Sequence, residues 1–139
     1  MTINSAFQII TKATTFHRSS RYQKGGASDQ QYGSVSNQPI NASTLHVCET
    51  GTWIHLKLEA FNEKTWTLLN DNLIISRVLT PLNDNEPLFC FSDNSIHSQP
   101  FICGHDTYRA SLQVEHNHAV LNVIISGPKK LGRIITEYY

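Results

Sequence analysis

Hydrophobic and polar positions alternate along most of the chain after residue 44, as they do in strands with one buried face. Short segments rich in Asn, Asp, Gly and Pro interrupt this alternation, and such segments favour turns. The pattern predicts strands over residues 45–49, 54–60, 66–69, 73–79, 88–91, 107–115, 121–126 and 134–139.

Several of the predicted connections between strands contain residues that favour turns. The Asn-Asp-Asn segment at 70–72 and the His-Asn pair at 116–117 predict tight turns between strands. The Gly-Pro pair at 127–128 predicts a break after the most apolar strand. A further turn is expected at 62–64, and a proline-containing loop is expected at 81–87.

The N-terminal segment fits two patterns. Ser5 and Gln8 have the spacing of a capping box, and apolar residues at 6, 9, 10 and 13 follow a helical stripe. The residues at 7, 9, 11 and 13 recur with the period of a strand, and we expect a strand preceded by one short helical turn. Residues 19–41 are rich in Ser, Gln, Gly and Asn, and we expect a flexible loop over one end of the fold or a weak edge hairpin there.

Eight to ten short strands without a convincing long helix predict an all-β fold, either an antiparallel barrel or a sandwich. With 139 residues the chain is expected to form one domain with a core that needs no disulfides.

The charge balance lowers the expectation of a polyanionic partner. Lys and Arg number 11 and Asp and Glu also number 11, so the formal net charge is zero and no long-range field attracts nucleic acid or an anionic membrane. Low net charge offers little resistance to self-association, so a homodimer is a fair expectation. No export signal or membrane-spanning stretch is evident, so the three cysteines are interpreted as reduced thiols of a cytoplasmic protein.

The densest polar cluster lies within residues 101–130. Cys103, Asp106 and Tyr108 come at the entrance of a predicted strand, where a thiol, a carboxylate and a phenol could converge on one pocket. The structural alternative is that Asp106 caps the turn after Gly104, Cys103 is a small buried apolar residue, and Tyr108 packs with its hydroxyl satisfied.

Arg77 is a second candidate. It is in register with Leu73 and Ile75 of an apolar strand, and if it points inward it needs a carboxylate or an anionic ligand, because an unpaired internal charge is expensive. Glu49, Asp106 or a bound carboxylate could serve as that partner. If the opposite face of the strand is the core, Arg77 lies in solvent.

Metal, cofactor and thiol chemistry have weak support. Three pairs have the spacing of metal ligands on a strand, namely the residues at 46 and 48, 103 and 105, and 116 and 118. None has the partner pair of a metalloenzyme motif, and no thiolate-stabilising neighbour is evident from spacing. We therefore expect no metal site and no cofactor.

Four short motifs follow one another in a characteristic order. They are a Glu-x-Gly element, an aromatic strand that ends near a Phe or His, a Cys-x-x-Asp-x-Tyr element, and a Gly-Pro-basic-Lys turn followed by a closing Tyr. Here the first is Glu49–Gly51, the third is Cys103–Tyr108, and the fourth is Gly127–Lys130 with Tyr138. With these motifs the chain resembles the domain-of-unknown-function family 6314, a group of small lipocalin-like barrels. The resemblance implies a lipocalin-like barrel and implies no catalytic role.

The resemblance also bears on one more candidate. His97 lies where that family tends to place a His after an aromatic strand. The chain departs from the family pattern in two places: Phe101 replaces a His two residues before the Cys, and Val and Ile replace a Trp in the strand before the Gly-Pro turn.

Taken together, these patterns predict a cytoplasmic protein that binds a small, largely apolar molecule in a barrel cavity. The predicted ligand-binding residues are Arg77, His97, Cys103, Asp106 and Tyr108. Two alternatives remain open. One is an acid-base enzyme of the isomerase or dehydratase type with Asp106 or a His as base, and the other is a dimeric interaction module whose barrel is packed.

Overall fold

The computed structural model describes residues 2–79 and 84–139. Within these residues the chain forms one helix followed by ten strands. The elements are α1 (Ile3–Lys12), β1 (Thr15–Lys24), β2 (Asp29–Asn41), β3 (Thr44–Trp53), β4 (Leu58–Leu69), β5 (Asn72–Leu79), β6 (Asp84–Phe91), β7 (Phe101–Cys103), β8 (Asp106–Glu115), β9 (His118–Ser126) and β10 (Leu131–Tyr138).

The strands form a single antiparallel sheet in the order β6-β5-β4-β3-β2-β1-β10-β9-β8-β7. The segment after β6 curls this sheet into a nearly closed barrel. The Ser98 amide donates to the carbonyl of Ala110 at 2.9 Å, and the Leu112 amide donates to the carbonyl of Ile96 at 2.9 Å. Because this segment pairs with β8, most of the sheet edge is covered. The predicted all-β antiparallel barrel is confirmed.

The turns predicted from local chemistry are also confirmed. Asn70 and Asp71 both have left-handed backbones with φ of 50° and 64°, and His116 and Asn117 follow the same pattern with φ of 49° and 65°. Two consecutive positive φ angles are typical of the tight hairpin turns that match the twist of the flanking strands. Strand β9 ends directly before Gly127, as the Gly-Pro break predicted.

The strand predicted for residues 54–60 is wrong over its first half. Residues 54–57 form the turn between β3 and β4, and the side chains of Ile54 and Leu56 are 54% and 51% exposed. The carboxylate of Asp29 fixes this turn because it accepts the backbone amides of His55 at 2.8 Å and Leu56 at 3.0 Å. The turn predicted at 62–64 is also wrong, since these residues lie inside β4.

The loop predicted at 81–87 is strand from Asp84 onward, and residues 81–83 lie outside the described part of the chain. The position of Pro87 explains the error. Because β6 is an edge strand of the sheet, it tolerates a residue without a backbone donor.

The N-terminal segment is a helix, so the predicted strand is wrong there. Thr2 is the N-cap and its hydroxyl accepts the Ser5 amide at 3.1 Å. The buried positions are Ile3, Ala6, Phe7 and Ile10, which is a helical spacing. In the described residues, no helix has the length and hydropathy that a membrane crossing requires.

Residues 19–41 do not form a loop or an edge hairpin. Apart from a short connection at 25–28, they belong to β1 and β2, which lie in the middle of the strand order. Gly33 of β2 is directly opposite Gly51 of β3, and a Cβ atom at Gly33 would overlap the carbonyl oxygen of Thr50. Only glycine allows these two backbones to approach so closely.

Helix α1 closes one end of the barrel. The side-chain amide of Asn37 donates to the carbonyls of Ile10 at 2.5 Å and Ala13 at 3.2 Å, which fastens the C-terminal end of the helix to β2. The part of the interior near this end is packed with large side chains. The fully buried residues there include Phe16, Leu45, Trp66, Leu73, Leu112 and Tyr138.

Candidate ligand-binding cavity

Away from the helix, the barrel interior contains a cavity of about 370 Å³. This volume lies within the usual range of small-molecule pockets, roughly 300–1,000 Å³. Most of its wall is apolar and comes from five strands, namely β5, β6, β7, β9 and β10. The apolar lining residues are Ile75, Leu88, Phe89, Phe101, Leu121, Val123 and Ile134.

A buried charge cluster, here called the inner cluster, forms the inner end of the cavity. It consists of Arg18, Glu49, Lys64 and Tyr138. Arg18 of β1 donates from Nη2 to Oε1 of Glu49 at 2.5 Å, and Glu49 is only 1% exposed. The remaining guanidinium contacts are with neutral groups. Nε of Arg18 donates to the hydroxyl of Thr136 at 2.9 Å, and Nη1 donates to Oε1 of Gln31 at 3.0 Å. Arg18 is therefore bonded on every nitrogen.

The second oxygen of Glu49 has two neighbours. The hydroxyl of Tyr138 donates to it in a short hydrogen bond, and the ammonium of Lys64 lies 3.8 Å from it. The same ammonium lies 3.5 Å from the Tyr138 hydroxyl. Both contacts are longer than an ordinary hydrogen bond, so Lys64 forms an ion pair with Glu49 without a well-formed hydrogen bond.

The electrostatic setting keeps Glu49 ionised. Burial opposes its charge, but Lys64, then Arg18, and hydrogen bonds from Tyr138 and Arg18 lower the pKa of Glu49 from 4.5 to about 2. Burial also opposes the charge of Arg18, yet Glu49 raises the pKa of the guanidinium above its ordinary value. Burial raises the pKa of the Tyr138 hydroxyl well above its ordinary value, so Tyr138 stays protonated and donates.

Lys64 responds in the opposite direction. Burial lowers the pKa of its ammonium, and the attraction of Glu49 compensates for this only in part. Its side chain is 14% exposed and lines the cavity. Lys64 is therefore the charge of the cluster that its partners compensate least, and its ammonium faces the cavity.

Arg77 also lines the cavity, on the same face of β5 as the buried residues Leu73 and Ile75. Its partner is Glu86 of β6 at 2.9 Å, and 48% of the Arg77 side chain is exposed. Arg77 thus points inward but lies at the rim, paired neither with Glu49 nor with Asp106.

Two more residues of the predicted set reach the cavity. Cys103 and Tyr108 both line it, and the Tyr108 ring packs edge-on against Phe101 with the ring centres 6.2 Å apart. Cys103 is exposed, so its thiol lies at the mouth of the cavity and is not part of the core.

His97 and Asp106 do not line the cavity. His97 is exposed and forms an isolated β-bridge with Ser111 in the segment that closes the barrel. Asp106 is opposite Cys103 across a two-residue turn, and its carboxylate occupies the space that a side chain at position 127 would need. Gly127 is therefore the residue that lets Asp106 pack against the Gly-Pro turn.

Sequence reasoning missed two of the four residues of the inner cluster. It considered Glu49 as a motif residue and as a partner of Arg77, and it named Tyr138 as the closing Tyr without a role for its hydroxyl. It did not single out Arg18 or Lys64. A signal for Glu49 was present, because alternation places it on the buried face of β3 together with Leu45 and Val47.

The model of a family of unknown function, DUF6314, matches residues 11–139. The chain belongs to this family. No curated protein matches the chain. Its fold is similar to that of EF1p2_mFAP2b, which was solved bound to DFHBI, with a TM-score of 0.51, 12% identity and coverage of 99% of this chain and 98% of that chain. The redesigned β-barrel mFAP1, also solved bound to DFHBI, gives a TM-score of 0.49 at 13% identity, with coverage of 96% and 97%. At 12% identity, the likeness to EF1p2_mFAP2b shows the fold alone.

Two of the motifs that suggested DUF6314 meet in the inner cluster. Glu49 begins the Glu-x-Gly element and Tyr138 is the closing Tyr, and the two side chains are hydrogen-bonded to each other. Gly51 leaves no room for a side chain, because a Cβ atom there would lie 2.9 Å from the ring of Phe16. The motif residues thus join two strands of this DUF6314 barrel, β3 and β10, at one buried carboxylate.

A possible metal-ligand group lies on the outer face of the barrel. The ligand atoms of His46, Cys48 and Glu63 lie within 4.8 Å of one another, with 3.1 Å between Nε2 of His46 and Oε2 of Glu63. These residues are half-buried, and the His46–Glu63 contact is already an ion pair when the His is protonated. Among the described residues, this is the group whose ligand atoms lie close enough together to hold a metal ion. Its residues do not line the cavity.

A larger and more open depression of about 650 Å³ lies beside Asp29. Short polar side chains such as Ser19 and Ser28 line it. Burial opposes the charge of Asp29, but the amides of His55, Leu56 and Gln30 lower the pKa of its carboxyl below the ordinary value. This carboxylate is already satisfied by the fold, so we regard the interior cavity as the better candidate site.

Proposed function

We propose that this DUF6314 chain binds a small, largely apolar molecule inside the barrel. The observation that carries the proposal is the interior cavity of about 370 Å³, with an apolar wall and a polar inner end. A wall of this kind favours apolar ligands because their transfer from water is worth roughly 25 cal/mol for each Å² removed from solvent.

The placement of polar groups adds orientation to this affinity. Small-molecule sites typically combine apolar walls with a few polar groups that fix one end of the ligand. Lys64 lies at the inner part of the cavity, while the exposed Asn62 lies nearer the mouth together with Arg77, Cys103 and Tyr108. We assign ligand contacts to these five residues, and we assign none to His97 or Asp106.

The fold neighbour supports the proposal at a general level. EF1p2_mFAP2b, a barrel of similar fold, was solved with DFHBI bound. A barrel of this fold therefore has room for a small molecule.

The proposal is tested first by native mass spectrometry of freshly purified protein, with an extract of the denatured sample analysed beside it. Binding of Nile red, a neutral apolar fluorophore, is then titrated in the wild type and in two variants of adjacent residues. Val123→Trp fills the cavity, whereas Ile124→Trp places the same side chain on the outer face. Both variants are checked for unchanged thermal unfolding.

We expect Nile red to bind the wild type and Ile124→Trp, and to bind Val123→Trp at least tenfold more weakly. If both variants bind it equally, the ligand lies on the surface and the proposal is wrong. The absence of both a copurified molecule and Nile red binding would also overturn it.

A further inference from the structure

The charged side chains that line the cavity all have the same sign among the described residues. They are Arg18, Lys64 and Arg77, and no carboxylate joins them in the lining. Glu49 lies behind Arg18 and Lys64, and Glu86 contacts Arg77 at the rim. Within the inner cluster two cations share one carboxylate, so the cluster has an excess of positive charge.

Two of these cations are also neighbours. Lys64 of β4 is directly opposite Arg77 of β5, and both face the interior. Like charges at directly opposite positions of a sheet repel each other and destabilise it. Glu86 offsets this repulsion for Arg77, at 2.9 Å from its guanidinium. Among the described residues, no carboxylate lies next to Lys64 on the cavity side.

Lys64 has unused donors. Its ammonium carries three N–H groups, and its described neighbours are the long contacts of 3.5 Å to Tyr138 and 3.8 Å to Glu49. Arg18, by contrast, is bonded on all three nitrogens. A buried ammonium with free donors that faces a cavity is a specific recognition element for an anion.

We infer that the molecule bound in the cavity is an amphipathic monoanion whose carboxylate lies against Lys64, with Arg77 as the second contact. This inference rests on the proposed function and specifies its ligand class. One negative charge balances the inner cluster, in which Arg18, Lys64 and Glu49 leave one positive charge over. The apolar part of the ligand then lies along the wall formed by Leu121, Val123 and their neighbours.

The experiment compares three probes of equal chain length and different charge: octanoate, octanol and octylamine. Each is titrated calorimetrically into the wild-type protein at neutral pH and used to displace Nile red. We expect octanoate to bind about tenfold or more tightly than octanol, because one charge-assisted hydrogen bond is worth at least this factor. Octylamine should bind most weakly of the three.

Variants assign the preference to one side chain. Lys64→Met removes the charge and keeps the length, and it leaves Arg18 and Glu49 as a balanced pair, so the barrel should still fold. Lys64→Gln serves as a second version if Met does not fold. Lys129→Met, at an exposed position, removes the same charge from the surface and controls for long-range effects. We expect the preference for octanoate over octanol to vanish in the Lys64 variants and to persist in Lys129→Met.

The outcomes separate this inference from the proposed function. Equal affinities for octanoate and octanol in the wild type would overturn the inference and leave cavity binding intact. A preference for octanoate that survives in both Lys64 variants would also overturn it. If neither Nile red nor any octyl compound binds, the inference and the proposed function fail together.

Discussion

The substitution Glu49→Gln is the most direct test of how the inner cluster stabilises the fold. The substitution keeps the size and shape of the side chain and removes the one buried anion that faces Arg18 and Lys64. Two buried cations would then lack their counter-charge, and Oε1 of Glu49, which accepts from Arg18 at 2.5 Å, could become an amide donor. We therefore expect a large loss of stability without any change in packing volume.

Two separate estimates give a similar loss of unfolding free energy for Glu49→Gln. The pKa of Glu49 falls from 4.5 to about 2 on folding, and this shift corresponds to about 3 kcal/mol of stability at neutral pH. Removal of one partner from a buried ion pair typically costs about 3–5 kcal/mol. Domains of this size have a total stability of about 5–15 kcal/mol, so the variant should remain folded but be clearly weakened.

The effect should depend on pH in a defined direction. The pKa of Glu49 is depressed in the folded state, so its contribution is fully present above about pH 4.5 and is lost as the pH falls towards about 2. The difference in unfolding free energy between wild type and Glu49→Gln should therefore shrink from about 3 kcal/mol at pH 7 to about 1 kcal/mol at pH 3.

Urea denaturation followed by circular dichroism measures this difference. For an m-value of about 2 kcal/mol/M, the transition midpoint at pH 7 should fall by about 1.5 M. Glu63→Gln is the matched control: Glu63 is on the outer face of β4, half-buried and paired with His46, and its loss should cost about 1 kcal/mol or less. A cost below about 1 kcal/mol for Glu49→Gln, or a difference that stays constant between pH 7 and pH 3, would refute the electrostatic account.

Three further predictions follow from the same contacts. Tyr138→Phe removes the hydroxyl that donates to Glu49 and should cost about 2 kcal/mol in urea denaturation, and a cost below about 0.5 kcal/mol would contradict the hydrogen bond. Gly33→Ala places a Cβ atom against the backbone of Thr50, and we expect a loss of at least about 2 kcal/mol or failure to fold, whereas unchanged thermal unfolding would show that the strands can separate there. Cys48 should react more slowly with a thiol reagent than the two exposed cysteines, because burial and then the nearby carboxylates raise the pKa of its thiol, and equal rates by mass spectrometry would contradict this.

The parts of the fold that could be predicted are those with local causes. The β8–β9 hairpin combines two alternating segments with His116 and Asn117, whose left-handed backbones form the turn. The residues at 54–57 show the limit of this reasoning. They alternate as a strand would, but the carboxylate of Asp29 holds their backbone amides in a turn, and only the tertiary structure brings this residue close.

The polar residues of the barrel interior could not be predicted from the sequence for a related reason. In β1 the inward positions are Phe16, Arg18 and Ser20, and the outward ones include Ser19, so the strand alternates between faces without alternating in polarity. Its composition therefore resembles that of a loop. Alternation identifies a buried face only when that face is apolar, and a barrel that holds charge inside breaks this condition.

The position of the cluster within the barrel explains why an interior would contain it at all. Along β4, Trp66 packs in the core, Lys64 belongs to the charge cluster, and Asn62 lines the cavity, so the charges lie between the packed half and the empty half. Well-packed apolar residues often stabilise a fold more than a buried ion pair does, so stability alone does not account for charges here. A polar inner end does account for the empty space. The charges cannot be covered by neighbouring apolar side chains without loss, and the cavity next to them is where we propose that the ligand places its own charge.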